Sequence, residues 1–250
     1  MRRSTSPELS TAGLCAALLL VGAALTADVV HHGFVRRLDW ATHLAVDAHL
    51  HGAVVRGALH GLALVGHPRL LVAPLLVLAT LSARRHGTSR PLVTAALVLA
   101  GTAGSVWLIK TGVGRVAPSS GHDRIHAAGI SYPSGHAVSA VVCWGLLLEY
   151  AASLGGRLGA ALPVRRRRLL TAVLAAAAGL GMTALDYHWL SDVIAGWLLG
   201  GLVLALVLAV GPVRRRVSRP LPADRRAREI QEARDAPEAQ PEPARPVPSG

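Results

Sequence analysis

Apolar residues in this chain come in blocks, not in the alternation of a half-buried strand. Residues 11–30 carry one charge, Asp28, close to their end. Further blocks cover 68–84, 91–110, 136–156, 169–187 and 192–213, each nearly free of charge. A bilayer hydrocarbon core about 30 Å thick is crossed by roughly 20 residues of helix. The pattern therefore predicts an all-α integral membrane protein with six transmembrane helices over those ranges. The block at 68–84 is short. Pro68 suits the first turn of a helix, and Arg69 can carry its charge to the interface along an apolar stem. Residues 11–30 are expected to be a span and not a cleaved leader, because further spans follow and no soluble domain does. The stretch 38–66 mixes His, Asp and Arg with Leu, Ala and Val, and predicts one or two interfacial or extracytoplasmic helices. In the last block Gly196 and Gly200 form a small-xxx-small pair, and Ala175 to Gly179 are all small, which predicts close helix packing.

Composition agrees with the blocks. Hydrophobic residues make up 52% and charged residues 16% of the 250. The charged share is well below the roughly 25% of soluble chains, and mean hydropathy is +0.43. General disorder is excluded, and the composition argues against an ordinary soluble domain. Cys15 and Cys143 lie inside apolar blocks, so no disulfide framework is expected. From Pro220 onward the chain is rich in Pro, Ala, Arg and Glu without an apolar period, which predicts a disordered tail. The domain plan is 1–10 as a cytoplasmic N-terminus, 11–213 as the membrane domain, and 214–250 as a cytoplasmic tail.

The formal net charge of +12 admits nucleic acid or a membrane surface as partner. Arginines sit at the edges of the apolar blocks, which fits topology and not nucleic-acid binding. With six spans, fourteen near-span basic residues fall on the side of the termini and seven on the other. The positive-inside rule then places both termini in the cytoplasm of a multi-pass cell-membrane protein. Eleven of the twelve histidines fall on the outer side, His86 being the exception. The only lysine is Lys110.

Three polar clusters lie at the predicted outer ends of spans. Lys110 to Pro118 leaves the third span. Tyr132-Pro-Ser-Gly-His136 opens the fourth, and His188-Trp-Leu-Ser-Asp192 opens the sixth. Pro-Ser-Gly is a helix-start signature with Ser134 as cap. It leaves backbone N–H groups facing outward, where the helix dipole favours an anion, and His136 there can pass a proton. His188 and Asp192, four apart, share a helix face. A carboxylate on one ring nitrogen leaves the other free as base or nucleophile. Lys110 can hold a phosphate oxygen as a point charge. Taken singly, each cluster also reads as an ordinary helix cap, ion pair or interface anchor. The outer histidines, including His31-His32 and His49-x-His51, suggest metal handling or transport, but they lack a ligand set with tetrahedral spacing.

In order, spacing and side, the three clusters resemble the type 2 phosphatidic acid phosphatases, integral membrane members of the superfamily shared with vanadium haloperoxidases. That family has a lysine followed seven and eight positions later by Arg-Pro. It then has Pro-Ser-Gly-His, and last Ser-Arg, five residues, His, three residues, Asp. Lys110 and Pro118 match the first motif, Pro133 to His136 the second in full, and His188 and Asp192 the third. The motifs span residues 110–192, and the six-span layout widens the resemblance to roughly the whole membrane domain. Two departures stand out. The first-motif arginine falls on Ala117, and the third-motif Ser-Arg falls on Gly181 and Met182.

The resemblance implies a helical core of that superfamily and a membrane phosphatase acting on a lipid phosphomonoester or diphosphate. Undecaprenyl diphosphate, phosphatidic acid and phosphatidylglycerol phosphate are the substrate classes. It implies His188 as the nucleophile that becomes a phosphohistidine, Asp192 as its orienter, and His136 as proton donor to the leaving oxygen. Lys110, Ser134 and the Gly135 N–H would hold the phosphoryl oxygens. Neither metal nor other cofactor is implied. Arg115, two residues from the vacant arginine position, is the expected substitute, with Arg124 in the same loop as a second. Each charge-assisted hydrogen bond is worth about 1.5–3 kcal/mol, so two lost arginines set the rival expectation of a lipid-phosphate binder with weak catalysis. Restoring them through Met182→Arg and Ala117→Arg is expected to raise turnover.

Overall fold

The computed structural model describes residues 10–50 and 52–210, so the predicted N-terminal segment and tail lie outside the described residues. Regular structure among the described residues is helical throughout: α1 (Thr11–Val30), α2 (Phe34–His49), α3 (Ala53–Leu64), α4 (Pro68–His86), α5 (Arg90–Val113), α6 (Gly135–Ser153), α7 (Gly156–Ala161), α8 (Val164–Ala184) and α9 (Leu190–Val210). A single 3-10 turn, Pro118–Ser120, breaks the long loop between α5 and α6.

Among the described residues five helical stretches are long and apolar enough to cross a membrane: Thr11–Val30, Ala53–His86, Arg90–Ser120, Gly135–Ser153 and Leu190–Ala209. α8 begins at Val164, before the predicted block, with Arg165 to Arg167 in its first turn and Arg168 just after it. Its apolar part starts at Leu169. The mixed stretch 38–66 resolves into α2 and α3. α3 is apolar and runs almost into α4, interrupted at Val65–His67, where the Trp144 indole donates to the freed Val65 carbonyl (2.9 Å).

α2 is amphipathic in reverse. It buries Arg36 and Asp39 and exposes Phe34, Leu38 and Leu44. An apolar outer face suits a helix bathed in lipid. Its N-terminus is capped from α1, since the Phe34 and Val35 N–H groups donate to the Asp28 carboxylate (3.0 and 2.8 Å). The one charge in the first apolar block thus opens the next helix.

α6 is the central helix. Val138, Val142, Leu146 and Tyr150 pack against Leu71, Leu75 and Ala79 of α4. Its other side takes α9, where Gly196 matters: a Cβ there would stand 2.7 Å from the Ser134 carbonyl oxygen. Only glycine lets the two helix starts meet so closely, as the small-xxx-small pair predicted.

Candidate active site

α5 ends where Gly114, in the left-handed region (φ 59°), returns its N–H to the Lys110 carbonyl (2.8 Å). The chain then folds back on itself. Val116 N–H donates to Arg124 O (3.1 Å) and Ser131 N–H to Arg115 O (2.9 Å). Two bonds fasten this loop to the α8–α9 turn: Ser119 N–H to Asp186 O (3.2 Å) and the Trp189 indole to Val116 O (2.8 Å). α6 starts on Ser134, whose buried hydroxyl accepts from Ala137 N–H (3.4 Å). Its own N–H donates to Asp192 O (2.9 Å), tying the start of α6 to the start of α9.

His188, 8% exposed, stands at that junction. Its Nδ1 is 3.2 Å from Ser131 Oγ and 3.4 Å from Asp192 Oδ2. Ser131 Oγ donates to the same carboxylate oxygen, which also accepts Trp189 N–H (3.1 Å). A serine hydroxyl has one proton, so Ser131, having given it to Asp192, accepts from Nδ1–H. That pattern puts the imidazole proton on Nδ1 and leaves the Nε2 lone pair free.

Behind Asp192 lies Arg115, fully buried. Nε donates to Asp123 Oδ1 (2.9 Å). Nη1 donates to Ser191 Oγ (2.7 Å) and Asp192 Oδ1 (2.9 Å). Nη2 donates to Asp39 Oδ2 (2.7 Å) and Asp123 Oδ2 (3.0 Å). A guanidinium has five N–H donors, and all five are taken by the protein. Arg115 therefore has no donor left for a phosphate, which corrects its expected role in phosphate binding. It sits one layer further in, as the common partner of three carboxylates. Asp39 also accepts Ser191 N–H (2.8 Å) and Ser191 Oγ–H (2.6 Å). Arg36 Nε adds a bond to Asp123 (2.6 Å). Burial would raise the Asp123 carboxyl, but the Arg115 and Arg36 guanidiniums override it and hold the group below the usual carboxylate range.

The other expected residues surround His188. Lys110 Nζ donates to the carbonyls of Ile130 and Ser131, the latter at 3.3 Å, within Coulombic reach of Asp192. Gly135 and His136 occupy the first turn of α6. His136 lies within Coulombic reach of His188 and Lys110, and its ring meets that of His67 edge to face, centroids 5.2 Å apart. His67, at the α3–α4 break, has a buried Nδ1 with no hydrogen-bond partner among the described residues.

The motif departures have a packing cause. Met182 is buried among Leu59, Ala63, Ala137, Leu185 and Val193. A Cβ at Gly181 would stand 2.5 Å from Ala63 N and 2.8 Å from Leu59 O. The α3 backbone thus lies where the family's Ser-Arg pair would need room. Ala117 is half-buried, and Arg124 is exposed.

Asp39, Asp123, Ser131 and His67 were not singled out from sequence. The spacing of Arg36, Asp39 and His43 on one face of a helix was the available signal for α2, while Ser131 and His67 carried none. Of the outer histidines, His43 joins Asp47 and Asp186 in a group whose ligand atoms lie within 4.8 Å of one another. His43 Nδ1 and Asp186 Oδ1 are 2.8 Å apart. His51 lies outside the described residues.

Apolar helices gathered around a buried His–Asp pair and a capped helix start define a helical membrane protein with a polar site at one end of its bundle. The PAP2 superfamily model matches residues 91–216, half of the chain, and the chain belongs to that family. Its fold is similar to a crystal structure described as the first transmembrane PAP2 type phosphatidylglycerolphosphate phosphatase from Bacillus subtilis. The TM-score is 0.69 and the identity 20%, over 81% of this chain and 98% of that one. None of the curated proteins compared matches the chain.

Proposed function

We propose that this protein is a membrane phosphatase that hydrolyses a lipid phosphomonoester or diphosphate through a phosphohistidine on His188. The observation that carries the proposal is the Nδ1 anchoring of His188 by Ser131 and Asp192, beside the open first turn of α6. His188 Nε2 attacks phosphorus, and the bond from phosphorus to the lipid-side oxygen breaks. His136 gives its proton to that oxygen. In the second step His136 takes a proton from water, which attacks the phosphohistidine, and phosphate leaves with His188 restored. Lys110, the Gly135 N–H and the dipole of α6 hold the phosphoryl oxygens as charge grows on them. Ser134 serves by capping that helix, and Arg115 by positioning Asp192. Undecaprenyl diphosphate, phosphatidic acid and phosphatidylglycerol phosphate remain the substrate classes, the last also named for the structural neighbour.

With the arginine asymmetry, the layout is six spans with α8 among them, both termini cytoplasmic and the site on the outer side. Phosphate release by the purified protein from these three lipids tests the activity. Wild type releases phosphate from at least one. His188→Ala lowers release at least about 10³-fold, the scale of a lost nucleophile. A second reading, a lipid-phosphate binder without turnover, is favoured by Met182 and Ala117 at the arginine positions. Retention of a lipid phosphate without release, and without acid-labile phosphate on the protein, would establish it over the first.

A further inference from the structure

A cavity of about 390 Å³ runs between α6, α8 and α9 at the end of the bundle away from His188. Its roof is Trp197, whose indole donates to the Ala175 carbonyl (3.1 Å). Its walls are Val141, Gly145, Ala172, Ala176, Leu204 and Leu208. Ala172 and Ala176 are exposed, so the cavity opens on the outer surface of the bundle, where lipid lies. From Trp197 to Leu208 the groove is about 17 Å long at ~1.5 Å per residue. That is close to half of a hydrocarbon core about 30 Å thick, the depth of one leaflet.

Charge is confined to its far end, at Glu149, Arg167 and Arg168. Arg167 is bound to Glu149 (2.8 Å). Arg168 is exposed and makes no ion pair or side-chain hydrogen bond among the described residues. Arg165 and Arg166 stand exposed beside it. An apolar slot one leaflet deep, ending in unpaired guanidinium, is complementary to an amphiphile with an acyl tail and an anionic head.

We infer that this groove binds one anionic phospholipid, its acyl chain along α9 beneath Trp197 and its phosphate on Arg168. A zwitterionic choline head would bring a second cation against three arginines. Free phosphate would leave the apolar walls unused. The lipid is not a substrate poised for reaction. His136 and Glu149 lie thirteen residues apart on α6, about 20 Å at ~1.5 Å per residue, so a head on Arg168 is out of reach of His188. The inference holds whether or not the site at the other end turns over.

The test uses the full chain, purified and delipidated in detergent, with dioleoylphosphatidylglycerol, dioleoylphosphatidylcholine or inorganic phosphate added. Native mass spectrometry and thermal unfolding are the readouts. Wild type is expected to retain one phosphatidylglycerol and to unfold at higher temperature with it, at least tenfold more tightly than with phosphatidylcholine. Inorganic phosphate shifts nothing. Arg168→Gln is expected to lower the affinity for phosphatidylglycerol about tenfold, and Ala176→Trp, which fills the groove from an exposed position, to abolish retention. His188→Ala keeps the lipid, which separates this site from the catalytic one. Equal retention of the two lipids, an equal shift with inorganic phosphate, or full retention by a folded Ala176→Trp chain overturns the proposal.

Discussion

At the start of α9 a buried arginine, a serine and three carboxylates are bonded into one net, whereas at the start of α8 only Arg167 of four consecutive arginines is paired with a carboxylate, that of Glu149. Both places are helix N-termini, where the aligned peptide dipoles present positive charge. Asp192 in the first turn of α9 complements that charge. Each exposed arginine in the first turn of α8 opposes it, at a cost of about 0.3–1 kcal/mol. Charge at α9 therefore holds the protein's own parts in place. Charge at α8 is kept against the helix it sits on, and in the proposed lipid site its partner is an anionic headgroup. One end of the bundle uses arginine as an internal fastener and the other offers it outward.

Breaking the fastener should have the largest effect. Arg115→Gln leaves Asp39, Asp123 and Asp192 buried without their common cation, and removing one partner of a buried pair costs roughly 3–5 kcal/mol. The expected result is a large loss of folded protein in detergent, read by size-exclusion yield and thermal unfolding. The exposed Arg168→Gln should leave both unchanged. Arg115→Lys should not rescue, because an ammonium cannot reach three carboxylates with a planar fork.

Met182→Arg comes next. By family pattern the change restores a missing guanidinium. In this fold it puts a charge among Leu59, Ala63 and Val193, against the α3 backbone. An unpaired buried charge costs several kcal/mol. Folded yield is therefore expected to fall and turnover not to rise, which replaces the gain suggested by the motif. Ala117→Arg, at a half-buried loop position, should be tolerated, and phosphate release by this single variant measures whether the first-motif arginine helps.

These two cases show how much was legible beforehand. Lys110, the Pro133 to His136 turn, His188 and Asp192 were readable because each is a chemical type at a fixed local spacing, within one turn or one loop. Five of the six predicted blocks correspond to helical stretches of spanning length for the same local reason. The inner layer was not readable. Asp39 and Arg115 are 76 positions apart, and Asp39 lies in a helix whose charges look solvated until its apolar face is seen to point outward. Arg115 resembled a free phosphate ligand because its loop position says nothing of the carboxylates converging on it. Gly181 and Met182 looked like losses until α3 was found lying across them.

Two smaller effects sharpen the same contrast. Ser131→Ala removes one of the two acceptors of His188 Nδ1–H while Asp192 remains. Losing a neutral hydrogen bond of about 0.5–1.5 kcal/mol should lower kcat roughly three- to tenfold, with little change in KM. The same substitution at Ser139, outside the net, should do nothing. Asp123 gives a pH signature. Its carboxyl is held below the unfolded value of about 3.9, so its stabilising contribution is fully present above that pH. It is lost as pH falls through the folded value. Thermal stability measured from pH 6 to pH 3 should therefore drop at the acid end, and Asp123→Asn should flatten that drop.

The net around Arg115 also bears on synthesis. Its partners come from its own loop and from two distant places in the chain, α2 and the start of α9. A ribosome delivers α2 first, the loop next and α9 last. Asp39 and Asp123 can close on Arg115 soon after α5 emerges, but Ser191 and Asp192 arrive only with the last described helix. Until then one edge of a buried guanidinium has nothing to donate to, and His188 has no carboxylate to hold its ring. A chain interrupted before α9 would thus leave that edge of Arg115 and the His188 ring without the partners that hold them in the folded protein.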